Sequence, residues 1–298
     1  MADQQLLAQR FEEQRGRLRS VAYRMLGSLA EADDAVQEAW LRLSRADTDD
    51  VVNLAAWLTT VTGRICLDML RSRTARREES LDVHLPDPVI SYDDDSDPEH
   101  EALTADAVGL ALLVVLETLT PAERLAFVLH DLFGVPFTDI GPIVGRSPDA
   151  AKMLASRARH RVRSGSVEPD ADLRRQREVV DAFMAAARGG DFGALVELLD
   201  PDVVLRADMG AAAPPDFALL IRGAAQVAGR ALLFSRPGVS SRHALVNGAA
   251  GVLSWQDGEL IAVLGFTVAH GRIVAIDVLA DPERLRRLGE HADGAAGE

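Results

Sequence analysis

The stretch from Thr120 to Val162, TPAERLAFVLHDLFGVPFTDIGPIVGRSPDAAKMLASRARHRV, is punctuated so tightly that few folds accept it. Thr120 reads as an N-cap, Pro121 as the first helical position and Glu123 as the third residue of a capping box. Leu125, Val128, Leu129 and Leu132 form its apolar stripe, and Gly134 ends it. Phe137, Ile140, Ile143 and Val144 then recur at helical spacing up to Gly145, with Pro142 expected to delay or kink that short helix. Ser147-Pro148 opens a further helix in which Ala151, Leu154, Ala155, Ala158 and Val162 share one face. Arg146, Ser147, Lys152 (the chain's only lysine), Met153, Ser156, Arg157, Arg159 and His160 fall at its start or on its other faces. A helix-turn-helix that meets phosphates and base edges in a DNA major groove fits this pattern; an amphipathic helix pair with a solvated basic face fits it too.

The upstream sequence discriminates between the two. Leu18, Val21, Ala22 and Met25 face inward on one helix, Gly27 breaks it, and Ser28 with Glu31 reads as a second capping box. Val36, Ala39, Trp40 and Leu43 continue as a buried face. A third helix starts near Asn53, with Trp57 on the apolar face of Leu54, Leu58 and Val61 and therefore read as core, like Trp40. The runs AYRMLGSLAEADDAVQEAWLRL, AAWLTTVTGRICLDMLRSRTARRE and AERLAFVLHDLFGVPFTDI with LASRARHRV resemble, in order and spacing, the two conserved domains of an extracytoplasmic-function sigma factor. The resemblance implies core RNA polymerase, through its largest and second-largest subunits, and promoter DNA as partners. It implies polymerase docking by Asp33, Asp34, Gln37, Glu38, Leu41 and Arg42. It assigns the minus-10 element to Arg64, Asp68, Arg71, Arg73, Arg76 and Arg77, and the minus-35 element to the helix-turn-helix residues named above. Clustered arginines suit a surface that holds backbone phosphates during strand separation.

A formal net charge of −14 opposes unaided binding to a polyanion, which suits a subunit that borrows affinity from polymerase better than a free-standing repressor. The acid is concentrated between Arg77 and Arg124, where there is no lysine or arginine, and residues 81–104 read as an acidic flexible linker. The helical domains are expected over 1–80 and 105–165, a second linker over 166–176, a further domain over 177–290 and a disordered tail over 291–298.

In that further domain Val179, Val180, Phe183, Met184 and Ala187 make a helical stripe stopped by Gly189-Gly190. Asp191 caps a helix, and strands follow with Asn247-Gly248, Asp257-Gly258 and His270-Gly271 at the bends. Helices followed by a curled antiparallel sheet predict an α+β cone. This half resembles the SnoaL-like branch of the nuclear-transport-factor-2-like (NTF2-like) fold, and the whole order is similar to sigma-J-type factors. The fold class is thus multidomain: all-α sigma-2 and sigma-4 domains, then an α+β SnoaL/NTF2-like cone.

Three short features resemble regulatory motifs of that group in altered form: Leu85-Pro86-Asp87-Pro88 in the linker, Asp208 with Gly210, and Asp281-Pro282-Glu283-Arg284-Leu285 near the end. Arg222, His243 and Asp277 are candidate pocket residues for an unidentified small molecule. Asp277 shares a strand face with Ala275 and Leu279, which leaves it facing either a pocket or solvent. The reading is a promoter-recognition subunit whose fused cone adjusts its activity, without catalytic residues, metal or cofactor; the alternative is a cyclase-like or isomerase-like enzyme carrying a DNA-binding module. One cysteine, Cys66, precludes an internal disulfide or zinc site. No apolar run approaches about 18 residues, so a cytoplasmic protein with no membrane contact is expected.

Overall fold

The computed structural model describes residues 2–46, 53–76, 84–91, 109–165, 169–210, 220–234 and 238–293, which divide into two compact units. The first unit holds helices α1 (Ala2–Leu26), α2 (Leu29–Leu43), α3 (Leu54–Arg76), most of α4 (Leu110–Glu117), α5 (Pro121–Phe127), α6 (Phe137–Val144) and α7 (Pro148–Gly165). Leu18, Val21, Ala22 and Met25 of α1 are buried as their spacing predicts. Gly27 takes a positive φ of 72°, and Ser28 accepts from the Glu31 amide at the start of α2. The second capping box is only half made, because the Glu31 carboxylate turns to Arg73 instead. Phe11, Leu18, Val36, Leu43 and Leu58 form a core cluster against which Trp40 and Trp57 pack, with the Phe11 and Trp40 rings 5.1 Å apart. Both tryptophans therefore serve packing, as read from their helical faces.

The capping box at Thr120 and Glu123 is made in both directions, but α5 does not run on as an α-helix. Val128–Leu132 forms a π-helical turn, after which Gly134 adopts a φ of 70°. The two helical domains share a core within this unit. Gly63 of α3 lies where a Cβ would sit 3.2 Å from the Leu129 side chain and 3.5 Å from that of Leu125, so α3 packs closely on α5 and the turn after it at this point. The buried Arg124 donates from Nε to the Arg24 carbonyl (3.0 Å) and from a terminal nitrogen to Glu117 (3.0 Å). Arg24 in turn lies over the Phe133 ring, 5.1 Å from its centroid.

The second unit is the α+β cone. Strands β1 (Ile90–Ser91), β2 (Leu199–Asp208), β3 (Leu220–Arg222), β4 (Val239–Val246), β5 (Ala249–Gln256), β6 (Glu259–Ala269) and β7 (Arg272–Leu279) form one sheet in the order β1-β4-β5-β6-β7-β2-β3. The three hairpin bends at Asn247-Gly248, Asp257-Gly258 and His270-Gly271 have positive φ at both residues, the geometry of type I′ turns. Helices α8 (Leu173–Gly189), α9 (Phe192–Leu198) and α10 (Ala224–Phe234) cover one sheet face. There Val180, Phe183 and Leu195 pack on Val252, Phe266, Ile273 and Ile276. A last helix, α11 (Pro282–Asp293), follows β7.

The opposite face of the sheet is also covered. Gly251 and Gly265 are directly opposed on β5 and β6, and their missing side chains make room for Val246 and Leu110. Residues 84–91 run onto this unit with Leu85 and Val89 nearly fully buried, and β1 extends the sheet edge by pairing antiparallel with β4. This part of the expected flexible linker is therefore docked: buried apolar side chains and sheet pairing offset the entropy of ordering it. Residues 81–83 and 92–104 of the expected linker lie outside the described residues.

Candidate nucleic-acid interface and linker clasp

Helix α7 begins at Ser147, whose hydroxyl accepts from the Ala150 amide, and is joined to α6 through Gly145 with a φ of 66°. Gly141 sets the closeness of the two helices, since a Cβ there would lie 2.8 Å from the Arg146 carbonyl. Pro142 sits inside α6 without ending it. Ala151, Ala155 and Ala158 are buried, and Lys152, Met153, Ser156, Arg157, His160 and Arg161 form one exposed stripe, continuous with exposed Arg146 and Ser147. Arg159 departs from that stripe: it turns inward to Asp131, 3.1 Å away, in a charge contact without hydrogen-bond alignment. Burial pushes the Asp131 carboxyl above its ordinary value, with Arg159, His130 and Arg163 opposing.

At the start of α5, the buried Glu123 carboxylate collects four donors. One oxygen accepts from Arg157 Nε (3.0 Å); the other accepts from Arg161 (2.7 Å), the Thr120 hydroxyl (2.8 Å) and the Thr120 amide (3.2 Å). Burial works to raise this carboxyl, but the hydrogen bonds of Thr120 and Arg157 and the charge of Arg161 outweigh it, and its pKa lies below the ordinary glutamate value.

On α3, Arg64, Asp68 and Arg71 are exposed along one face, with Arg71 3.8 Å from Asp68. Arg73 is not available in the same way, being bonded to the Leu26 carbonyl and to Glu31. The Arg76 side chain and all of Arg77 lie outside the described residues. Asp33, Asp34, Gln37, Leu41 and Arg42 are exposed on α2 with Glu38 half-buried beside them. Arg19 holds Asp33 through two bonds of 2.6 and 3.2 Å, and Arg42 pairs with Glu38 at 2.9 Å. A groove of about 280 Å³ opens between α1 and α2, floored by Phe11, Val36 and Trp40 and rimmed by Glu12, Asp33 and Gln37.

The three altered motifs meet in the cone unit. Arg284, at the start of α11, donates to Asp87 Oδ1 from Nε (2.9 Å), to Asp208 Oδ2 (2.6 Å) and to the Leu85 carbonyl (2.8 Å). Asp208 also accepts from the Leu85 amide (2.9 Å) and the Gly210 amide (3.1 Å), with His84 Nδ1 3.4 Å away. Asp281 caps α11 by accepting from the Glu283 amide at 2.9 Å, and Gly210, at a φ of 55°, leaves the space its carboxylate fills. Burial tends to raise the Asp208 carboxyl; His84, the Leu85 amide, Arg284 and the Gly210 amide together hold it below the ordinary aspartate range. Pro86 and Pro88 are buried beside these bonds, Pro282 is exposed in the first turn of α11, and farther along the linker the Asn247 side chain accepts from the Val89 amide (3.2 Å).

The candidate pocket residues do not converge. His243 stands opposite Val252 on the helix-covered face and pairs with Asp181 at 3.0 Å, both side chains more than half exposed. Asp277 stands opposite Gly265 on the other face, nearly fully buried, and is held by Arg206 through bonds of 2.6 and 3.3 Å. Arg222 is exposed on strand β3 at the sheet edge. Burial raises the Asp277 carboxyl, partly countered by Arg206. Both orientations anticipated for Asp277 are thus replaced by a third, a buried ion pair.

Comparison with known proteins decides the family. Residues 11–76 match the model for Sigma-70 region 2 and residues 109–162 that for Sigma-70, region 4. The chain is 40% identical over 291 residues to the "ECF RNA polymerase sigma factor SigJ" of Mycobacterium tuberculosis, covering 92% of each chain. This chain is an ECF RNA polymerase sigma factor. It is also 34% identical over 284 residues to the "Probable ECF RNA polymerase sigma factor SigI" of the same species, covering 94% of this chain and 95% of that relative. The crystal structure of M. tuberculosis SigJ superposes with a TM-score of 0.75 at 36% identity, over 94% of this chain and 98% of that one. As a sigma factor it binds core RNA polymerase and promoter DNA and directs transcription initiation, with the SnoaL-like cone fused behind its helical domains.

Sequence reasoning missed several residues of these surfaces. Arg161 lies one turn beyond Arg157 and was hidden by being just one more arginine in a basic helix. The capping-box pattern accounts for only part of the Glu123 acceptor capacity, and the rest goes to the two arginines. Arg206, the partner of Asp277, follows from no local pattern, because the parallel pairing of β2 with β7 joins residues distant in the chain.

Proposed function

We propose that the sigma factor docks on core polymerase, through the largest and second-largest subunits, with the exposed face of α2 and the adjoining groove. The minus-10 element is met by Arg64, Asp68 and Arg71 on α3, and the minus-35 element by the α7 stripe from Arg146 and Ser147 through Lys152, Met153, Ser156, Arg157 and His160. The cone acts as a built-in regulator and not as an enzyme. One observation carries this reading: Arg284 grips both Asp87 of the linker and Asp208 of the cone, so the segment between the two helical domains is held by the third. A linker held on the cone leaves less free chain between the helical domains than a released one, and release is the regulated step. The contact of His243 with Asp181 and the ion pair of Asp277 with Arg206 support a non-catalytic cone, since each group is engaged by a partner. Among the described residues no helix is long and apolar enough to cross a membrane, in keeping with action on DNA in the cytoplasm.

Reconstituted transcription tests both parts. Asp34→Lys with Gln37→Ala is expected to lose polymerase binding while the chain stays folded. Asp87→Ala is expected to retain polymerase binding and to change transcript yield. Unchanged polymerase binding in the first variant, or unchanged yield in the second, contradicts the corresponding half of the proposal.

A further inference from the structure

We infer that Arg157 and Arg161 form a clamp for a single stretch of DNA backbone phosphate, with Glu123 as its positioning residue. The inference rests on the reading of α7 as the minus-35 reader. Arg157 and Arg161 are four residues apart and lie on the same exposed stripe as Lys152, Met153 and Ser156, so whatever α7 meets, these two meet along its flank. Their side chains are 55% and 49% exposed, whereas the Glu123 side chain between them is 5% exposed. Each arginine commits one edge to the buried carboxylate and presents the rest of its guanidinium to solvent.

A long flexible cation gains little at a DNA surface if its rotamers must be frozen on binding; here the freezing is done in advance by charge-assisted bonds. Glu123 is itself immobilised by Thr120, so the clamp is referenced to the backbone of α5. Two guanidinium charges against one carboxylate leave a net positive cluster, in a chain whose overall charge of −14 repels DNA. A planar guanidinium with free N–H groups suits phosphate oxygens, and the position beyond the helix start suits backbone and not base edges. Among the helix-turn-helix residues, Arg157 thereby falls to phosphate binding, which leaves the base edges to Lys152 and Ser156.

The test uses the full chain bound to core polymerase and a fluorescent promoter fragment recovered from genomic run-off transcription, with affinity measured across a salt series. Arg161→Ala is expected to lower the slope of log affinity against log salt by about 0.9 and to weaken every minus-35 sequence equally, with Arg161→Lys recovering part of the loss. Lys152→Ala, in contrast, is expected to alter preference among minus-35 sequences. Glu123→Gln is expected to weaken binding several-fold while keeping the salt slope, because both guanidinium charges remain and the loss of their aim outweighs the removal of one negative charge. An unchanged slope for Arg161→Ala alongside a clear effect of Lys152→Ala overturns the clamp alone. No effect of either variant overturns the reading of α7 and the clamp with it. Tighter binding by Glu123→Gln also overturns the positioning role, since it makes the carboxylate a screen.

Discussion

Replacing Arg284 by alanine should release the linker without unfolding the cone. Arg284 is buried and is the shared partner of Asp87, Asp208 and the Leu85 carbonyl. Breaking a buried pair by removing one member costs about 3–5 kcal/mol, because a charge is left buried and uncompensated. The lower end applies here, since Asp208 keeps the amides of Leu85 and Gly210. That strain is relieved locally if residues 84–91 lift off and let water reach Asp208. With tenfold for every 1.4 kcal/mol, a loss of about 3 kcal/mol corresponds to roughly a hundredfold faster amide exchange wherever exchange proceeds through linker release. The informative amides are Leu85, bonded to Asp208, and Val89, bonded to Asn247. Hydrogen exchange by mass spectrometry should show both accelerated while Val252 and Phe266 in the sheet core keep their protection. Unchanged protection at Leu85 and Val89 would refute the reasoning, and so would an equal loss across the core strands, which would make linker docking inseparable from the fold of the cone.

Three further outcomes are expected. The Asp208 carboxyl is held below its ordinary range in the docked state, so the stabilisation it gives is present above about pH 4 and is lost as pH falls through the lower docked-state value; linker protection followed against pH should fall on the acid side. Arg206→Leu should destabilise the cone in urea by about 3 kcal/mol, the lower end of the range for a broken buried pair because the Arg206 side chain is 20% exposed, whereas Arg206→Met combined with Asp277→Leu should recover most of that loss. Gly141→Ala should cost about 1–3 kcal/mol, measured by thermal unfolding, and weaken binding to minus-35 DNA, because its Cβ would run into the Arg146 carbonyl, which is backbone and has nowhere to go.

How far the chain could be read in advance depended on whether a signal was local. Caps and tight turns are local: Thr120 with Glu123, Ser147 with Pro148 and the three Xaa-Gly hairpin bends stand where the residue types demand. The π-helical turn at Val128–Leu132 is not local, since it lies within an ordinary apolar stripe. The local pattern places Glu31 on its own helix start, whereas Arg73, distant in the chain, takes its carboxylate. The docking of residues 84–91 is hidden in the sequence because acidic composition over residues 81–104 masks the apolar Leu85 and Val89 and the paired Ile90 within it. A second signal lies in the apolar run Ala249-Ala250-Gly251-Val252-Leu253, which does not alternate as a strand with one solvated face would, and such strands need a cover on both sides. Alternation placed Asp277 with Ala275 and Leu279 on one face, yet nothing in one strand says what lies over that face.

The central claim is that a sigma factor is governed from within by its fused cone. Run-off transcription from genomic DNA with purified core polymerase tests it most directly, comparing the full chain with a chain ending at Ser166. The account predicts promoter-specific transcripts from the full chain and a changed yield or promoter choice once the cone is gone. Identical transcripts in identical amounts from the two chains would contradict it.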